Sequence, residues 1–555
     1  MGEDILIKDC KVYSGSKSKA VQMDNQELDL QFVKQKLEIV QASIIKDVDR
    51  KLTTMIEEVL QDLRLKDLQD QEFNNFAKRK NNNLTWSNRL PKKQQSQTEN
   101  AEIKDSSPAK QKRTLPDKVF VVRESYLTAL LEVDHMKSIY NIFFIILTVF
   151  LLNSVCYDYF VLGKVNFGLG TIKIGMRDIH LVMGIWILMH IPVLMVYCAF
   201  NLWVHIRQKC INNKTLKALW SYSCLTFFVI LQLSLLYVGT SSCLRLDLPY
   251  VPGAVMLLET TRLMMKVHGF VRTNAGKILD AEYKTEGKKN SKAVQTPPFT
   301  CYLYYLFAPT LIYRDSYPRT NHIRWTFALN RILEVVGVAF FYSYIYERHI
   351  HVHFSNFGLE ELTNASLIVK MFGMIMPGFF IFLAAFYMVL HAWLNFTAEL
   401  LRFGDRMFYK DWWTARNYEG YFRNWNVVVH DWLYEYIYKD CYNHIFKGSK
   451  LASSLLVFFV SAYMHEHIIG VALQMFYPVL FCSFGILGVV LVFATKDFPP
   501  RFGNMFLWFT LITGSSFQIS TYSMEYFARQ NCPEVEPKTL IEWLTPVSWV
   551  CNGMQ

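Results

Sequence analysis

Between Leu30 and Leu63 apolar residues recur every three or four positions: Leu30, Val33, Leu37, Val40, Ile44, Val48, Leu52, Met55, Val59 and Leu63. This spacing puts them in one stripe along a long amphipathic helix. A lone stripe needs something to bury against. A helix lying on a membrane or packed on its own domain is one solution, and self-association is the other; the heptad-like repeat favours the second. The expectation is an oligomerisation helix over about 28–66. Residues 69–116 then turn polar, rich in Asn, Gln, Lys and Ser, as a flexible linker would be. After that the pattern inverts. Apolar stretches at 138–160, 178–203, 216–241, 250–270, 325–346, 367–395, 450–473, 476–495 and 504–528 are each long enough to be read as crossing a bilayer. The predicted architecture is all-α: a polytopic membrane protein of about nine transmembrane helices over 119–555, preceded by a cytosolic N-terminal region over 1–118.

The fourth stretch is interrupted by Glu259, Arg262 and Lys266. Charges at that depth place it against a protein interior or cavity rather than lipid. Nine spans with a cytosolic N-terminus put the loops after even-numbered spans in the cytosol, and those loops are the basic ones. Arg207, Lys209, Lys214 and Lys217 follow span two, and Arg272, Lys277, Lys284, Lys288, Lys289 and Lys292 follow span four. Eight Lys and Arg from Arg402 to Lys450 follow span six, and Lys496 and Arg501 follow span eight. The loops after spans three and five are poor in both. Lys164, Lys173 and Arg177 after span one are the imperfect member. The distribution places the N-terminus in the cytosol and the C-terminus in the lumen.

Composition sharpens this. The 555 residues are 52% hydrophobic, 15% aromatic and only 19% charged, with a mean hydropathy of +0.14. Those values exclude both an ordinary soluble enzyme and a disordered chain. The net charge of +11 follows from the basic cytosolic loops, so no nucleic-acid partner is expected. No cleavable signal peptide is expected, because the first 27 residues lack an apolar core. The 11 cysteines show no CxxC or zinc spacing, and most lie in apolar segments. Cys532 and Cys551 flank the tail after the last span. In an oxidising lumen they can pair and close a loop of about 20 residues; the alternative is two free thiols. Asn364-Ala365-Ser366 is a lumenal glycosylation sequon, but its closeness to span six disfavours modification.

Polar residues gather in two places that a membrane should resist. The first lies between spans six and seven: Phe408-Tyr409-Lys410-Asp411-Trp412-Trp413, then Tyr421 to Trp432. Trp and Tyr prefer the headgroup level, so short interfacial helices on the cytosolic face are expected. An aromatic belt explains the tryptophans but not Asp411, Asn426, His430 and Asp431 among them, which favours a functional reading. The second place is His465-Glu466-His467 inside span seven. Two His two residues apart on a helix point about 200° away from each other, so they do not share a metal. One is then alone in the interior, either as a structural histidine or as a general base. His349, His351 and His353 fall on a predicted lumenal loop without supporting carboxylate or Cys spacing, and no metal is expected there.

These residues carry a family resemblance. Phe408-Tyr409-Lys410-Asp411-Trp412-Trp413 resembles the FYxDWW signature of the sterol and diacylglycerol acyltransferase branch of the membrane-bound O-acyltransferases. Arg402 to Met407, Trp425 to Leu433, Tyr302 to Arg319 and Leu130 to His135 resemble the sterol branch in particular, in the same order. The resemblance covers about 117–555. It implies an acyl-CoA:sterol O-acyltransferase fold and activity: transfer of a long-chain acyl group to the 3-hydroxyl of cholesterol or a related sterol, giving steryl esters in the endoplasmic reticulum membrane. It implies acyl-CoA as co-substrate, no cofactor, membrane lipid as surroundings, and a homodimer or homotetramer. It places the catalytic histidine at His465 and its asparagine partner at Asn426. Acyl-CoA contacts fall on Arg423, Asn426, His430, Tyr438, Lys450 and Ser461, a histidine near the sterol entrance on His135, and the lumenal disulfide on Cys532 and Cys551. The sequence departs from the family at Thr414, where the signature ends in Asn, and at Gly420, a further acyl-CoA contact. Two other readings stand beside this one: diacylglycerol as acceptor, and a sterol sensor or transporter that has lost turnover.

Overall fold

The computed structural model describes residues 116–209, 213–285, 295–360, 363–532 and 544–551. The expected oligomerisation helix and the linker lie outside the described residues. Those described are helical, with only isolated β-bridges such as Arg123 with Asp405 and Arg319 with Phe403. The principal helices are α1 (Asp134–Val161), α2 (Ile179–Lys209), α3 (Lys214–Arg245), α4 (Tyr250–Thr285), α5 (Phe299–Phe307), α6 (Trp325–Phe354), α7 (Asn364–Leu400), α8 (Tyr418–Trp425), α9 (Val427–Trp432), α10 (Lys450–Ala472), α11 (Phe481–Ala494) and α12 (Pro500–Asn531).

Each of the nine apolar stretches lies on one of these helices. Among the described residues, six are long and apolar enough to cross a membrane: α1, the segment Leu169–Lys209 that ends in α2, α3, α6, α7 and α10. The other three stretches have identifiable reasons to differ. At 14 residues α11 is short for a span. Helix α12 is studded with Ser515, Ser516, Gln518, Ser520, Thr521, Ser523 and Glu525. Helix α4 carries the three charges noted in the sequence. The structure explains them: Arg262 donates to the Leu306 carbonyl at 2.6 Å, and Lys266 to the Tyr305 and Ala308 carbonyls at 2.5 and 2.6 Å. Those carbonyls belong to the end of α5, a nine-residue helix. Its last carbonyls have no helical partners of their own. Two cations from α4 satisfy them, Glu259 pairs with Arg262 at 2.9 Å, and Lys266 is only 1% exposed.

Contacts sort into two ends of the bundle. At the disulfide end, Cys532 is bonded to Cys551 with Cα atoms 6.3 Å apart. The buried Glu525 accepts from the Val547 and Ser548 amides at 3.1 and 3.0 Å, fastening the tail to α12. Asp158 of α1 pairs with Arg348 of α6, and Asn166 and Thr171 both donate to Glu347. His349, His351 and His353, expected on a loop, instead continue α6 through one π-helical turn, Tyr346–Ile350. This ion pair, the two hydrogen bonds to Glu347 and the fully buried Phe354 hold that extension in helix. Among the described residues no cluster there suits a metal. In contrast none of the most apolar window of α1 is buried within the chain.

The opposite end holds the 401–449 segment. It is built from short helices, as expected, but its aromatics face inward rather than toward a headgroup layer. Phe408, Tyr409 and Trp412 are at most 2% exposed. Tyr409 and Trp412 pack among Phe382 and Phe386 of α7, Tyr421 and Trp425 of α8 and Trp508 of α12, with ring centroids 4.7 to 6.2 Å apart. Each such pair contributes about 0.5–1.5 kcal/mol beyond its burial. Helices α7 and α12 approach so closely that a Cβ on Gly378 would lie 2.7 Å from the Ser516 backbone, and the Ser516 hydroxyl bonds the Ile375 carbonyl at 2.7 Å.

Candidate active site

The motif strand is zipped onto the α8–α9 junction. The Lys410 amide donates to the Asn424 carbonyl and the Val427 amide to the Phe408 carbonyl, both at 2.9 Å. Asn426, which lies between those two anchors, is non-helical (φ −136°, ψ 88°) and caps α9: its Oδ1 accepts from the Val429 amide at 3.1 Å. An Asn cap spends its oxygen in this way. The Asn426 Nδ2 donor bonds no protein group among the described residues.

On α10 the three polar neighbours diverge, as the helical spacing requires. His467 meets the Thr240 hydroxyl of α3 through Nε2 at 3.0 Å. Glu466 faces α11 and α12. His465 turns a third way, and its Nδ1 lies 2.7 Å from the Ser461 carbonyl. A carbonyl only accepts, so Nδ1 carries a proton, and in the neutral ring Nε2 is the nitrogen that keeps its lone pair. His465 is exposed on α10.

An aromatic chain connects the two places that stood out in the sequence. The His465 ring meets Phe484 of α11 edge-on at 5.5 Å, Phe484 meets Phe422 of α8 at 5.2 Å, and Phe422 meets Tyr421 of the buried cluster at 5.3 Å. Arg423 follows Phe422 and is exposed, with only a loose 3.8 Å pairing to Glu419. His430, half-exposed, faces Asp431 at 3.5 Å. Tyr438 stacks between Tyr434 and Tyr442 at 5.5 and 5.9 Å. Lys450 is the exposed first residue of α10, and Ser461 lies one turn before His465. Arg423, Asn426, His430 and Tyr438 lie on and between the short helices that follow the motif, and Lys450 lies at the start of α10. Ser461 and His465 lie deeper: 15 residues of helix separate Lys450 from His465, about 22 Å. No direct bond joins His465 to Asn426. His135 sits on the first turn of α1, exposed. Asp411 accepts from the Thr414 hydroxyl at 2.9 Å, a turn closed here by Thr, and Gly420 donates its amide to the Asn417 cap at 2.9 Å. Trp413 packs on Tyr126 at 5.7 Å.

Two sets of contacts had no sequence signal strong enough to find them. The segment leading into the membrane domain straps across α9: Lys118 pairs with Asp431 at 2.6 Å, and Asp117 with Lys439 at 2.5 Å. Burial pushes the Asp431 carboxyl up, but hydrogen bonds from His430 and Lys118 outweigh it and hold the group below its ordinary value. Between the strap, Phe408 and Asp431 lies a small cleft with a cavity volume of about 20 Å³. The second set centres on His391 of α7, which is fully buried and bonds Tyr409 and Arg331. A histidine within an apolar run is its only trace in the sequence.

Comparison with known proteins decides the family. The model of the MBOAT, membrane-bound O-acyltransferase family matches residues 135–524. The chain belongs to this family. It is 39% identical to sterol O-acyltransferase 1 of Cricetulus griseus over 456 residues, 81% of this chain and 82% of that one. Identity to sterol O-acyltransferase 1 of Mus musculus is 38% over the same length, 81% and 83% of the two chains. Sterol O-acyltransferase 2 of Homo sapiens is 33% identical over 439 residues, 78% and 80%. The chain is therefore a multi-pass membrane acyltransferase.

Proposed function

We propose that this chain is an acyl-CoA:sterol O-acyltransferase of the endoplasmic reticulum membrane, which transfers a long-chain acyl group to the 3-hydroxyl of cholesterol or a related sterol. The observation that carries the mechanism is the state of His465: Nδ1 tied to a carbonyl, Nε2 bonded to no protein group among the described residues, and the side chain exposed. The identity to two sterol O-acyltransferases over four-fifths of the chain supports the acceptor.

Acyl-CoA enters from the motif end, which is cytosolic in this reading. Arg423 and Lys450 bind its phosphates, with Tyr438 and His430 beside them, and the extended arm of CoA follows α10 past Ser461 toward His465. The sterol arrives laterally from the bilayer, with His135 near its entrance. His465 Nε2 takes the proton as the 3-hydroxyl oxygen attacks the thioester carbon. The Asn426 Nδ2 donates to the carbonyl oxygen as negative charge develops there. The C–S bond then breaks, the ester C–O bond is complete, and the proton on His465 passes to the CoA thiolate. No metal or cofactor takes part in this scheme. The N-terminus is cytosolic and the C-terminus lumenal, in agreement with the basic loops, and the disulfide suits an oxidising lumen. Residues 1–118 form a cytosolic region whose helix assembles a homodimer or homotetramer, and 119–555 form the acyltransferase domain.

Membranes from cells without their own acyltransferases test this reading when supplied with labelled oleoyl-CoA and either cholesterol or diacylglycerol. Steryl ester is the expected product. Triacylglycerol instead would move the chain to the sister branch, and sterol binding without any ester would make it a sensor or transporter.

A further inference from the structure

Glu466 is next to His465 but takes no part in the scheme above. Its Oε2 accepts from the Phe481 amide, the first of α11, at 2.8 Å. Both of its oxygens lie 3.0 Å from the Tyr522 hydroxyl of α12. That same hydroxyl accepts from the Leu480 amide at 2.9 Å. Glu466 and Tyr522 together therefore cap the start of α11, satisfying two amides that have no helical partner. One turn earlier on α10 the two helices nearly touch: a Cβ on Gly485 would lie 2.9 Å from the Ala462 methyl. Between these fixed points α11 presents Phe484, whose ring meets His465 at 5.5 Å, Phe422 at 5.2 Å and Phe458 at 5.9 Å.

We propose that Glu466, with Tyr522, is a positioning residue: it fixes α11 so that Phe484 forms the wall against which the His465 ring is held. The catalytic consequence rests on His465 being the general base. A cap on α11 matters for turnover because a reacting group displaced by about 1 Å costs up to 100-fold in rate. None of Arg423, Asn426, His430, Tyr438 and Lys450 is hydrogen-bonded to α11 among the described residues, so substrate affinity should change little.

The test uses the purified full-length chain in lipid nanodiscs, with two readouts. The first is the rate of carbethoxylation of His465 by diethylpyrocarbonate, read by mass spectrometry with His467, bonded to Thr240, as internal reference. It needs no turnover. Glu466→Ala and Tyr522→Phe should each change the His465 rate about threefold or more. Glu466→Gln, which keeps an acceptor for the Phe481 amide, should return it to the wild-type value. The second readout is steryl ester formation from oleoyl-CoA and cholesterol. Glu466→Ala should lower kcat roughly tenfold or more with KM for oleoyl-CoA within about twofold, and combining Glu466→Ala with Tyr522→Phe should be non-additive. If Glu466→Ala does not accumulate, Tyr522→Phe carries both readouts. An unchanged His465 modification rate in the accumulating variants overturns the assignment, as does a rise in KM alone. A wild type that makes no ester, or a fully active His465→Ala, overturns the parent reading instead, and the modification rates still decide the role of Glu466.

Discussion

The Tyr409 hydroxyl and Nδ1 of His391 lie 2.6 Å apart, and this contact joins the FYxDWW motif to α7 inside the protein. Arg331 donates to the other ring nitrogen at 2.5 Å, so His391 is neutral and Nδ1 donates to Tyr409. With Tyr409→Phe, a fully buried N–H loses its acceptor, at a cost of about 1–3 kcal/mol. The expected result is a lower melting temperature in detergent, while the protein that remains folded keeps its turnover per molecule.

Asn426 separates two roles that share one side chain. Asn426→Asp keeps the oxygen that caps α9 and loses the Nδ2 donor. It should fold normally and lose roughly 100- to 1,000-fold in kcat. Asn426→Ala loses both and should also fall in stability by about 1 kcal/mol. Equal kcat for Asn426→Asp and wild type would leave Asn426 as a cap only.

Lys118 and Asp431 link the strap to the helix that bears His430. Either charge reversal, Lys118→Asp or Asp431→Lys, should raise KM for acyl-CoA roughly two- to fivefold, and the double reversal should restore it. Kinetics at fixed saturating sterol read this directly. The Asp431 carboxyl is held low, so the bridge is present above the ordinary Asp value and lost only as pH falls through the lower folded value. Any change in activity between about pH 6 and 8 must then come from another group.

The Cys532–Cys551 bond closes a loop with a sequence separation of 19. Cys551→Ser should cost about 2–4 kcal/mol in stability, seen as a lower melting temperature. Turnover at 25 °C should be unchanged, because the disulfide end is remote from the motif end.

The positions of the apolar helices were open to inspection in the sequence, and for the six that are long and apolar enough to cross a membrane among the described residues this is because a bilayer imposes length and apolarity on each segment separately. The divergence of His465, Glu466 and His467 followed from helical geometry alone. What each then touches did not: Thr240, Phe481 and Tyr522 are distant in sequence. The inward packing of Trp412 was hidden for the same reason. A Trp beside charges reads as interfacial until Phe386 and Trp508 are known to cover it. Arg262 and Lys266 announced a protein interior but not their partners, since the backbone carbonyls of α5 leave no mark in the residue pattern.

The most direct test of the central claim compares wild type with His465→Ala, both purified and matched by size-exclusion profile, following steryl ester and free CoA from oleoyl-CoA and cholesterol. The mechanism predicts ester and CoA in equal amounts from wild type, and neither above background from a His465→Ala protein that still folds and assembles. Substantial ester from folded His465→Ala would contradict it.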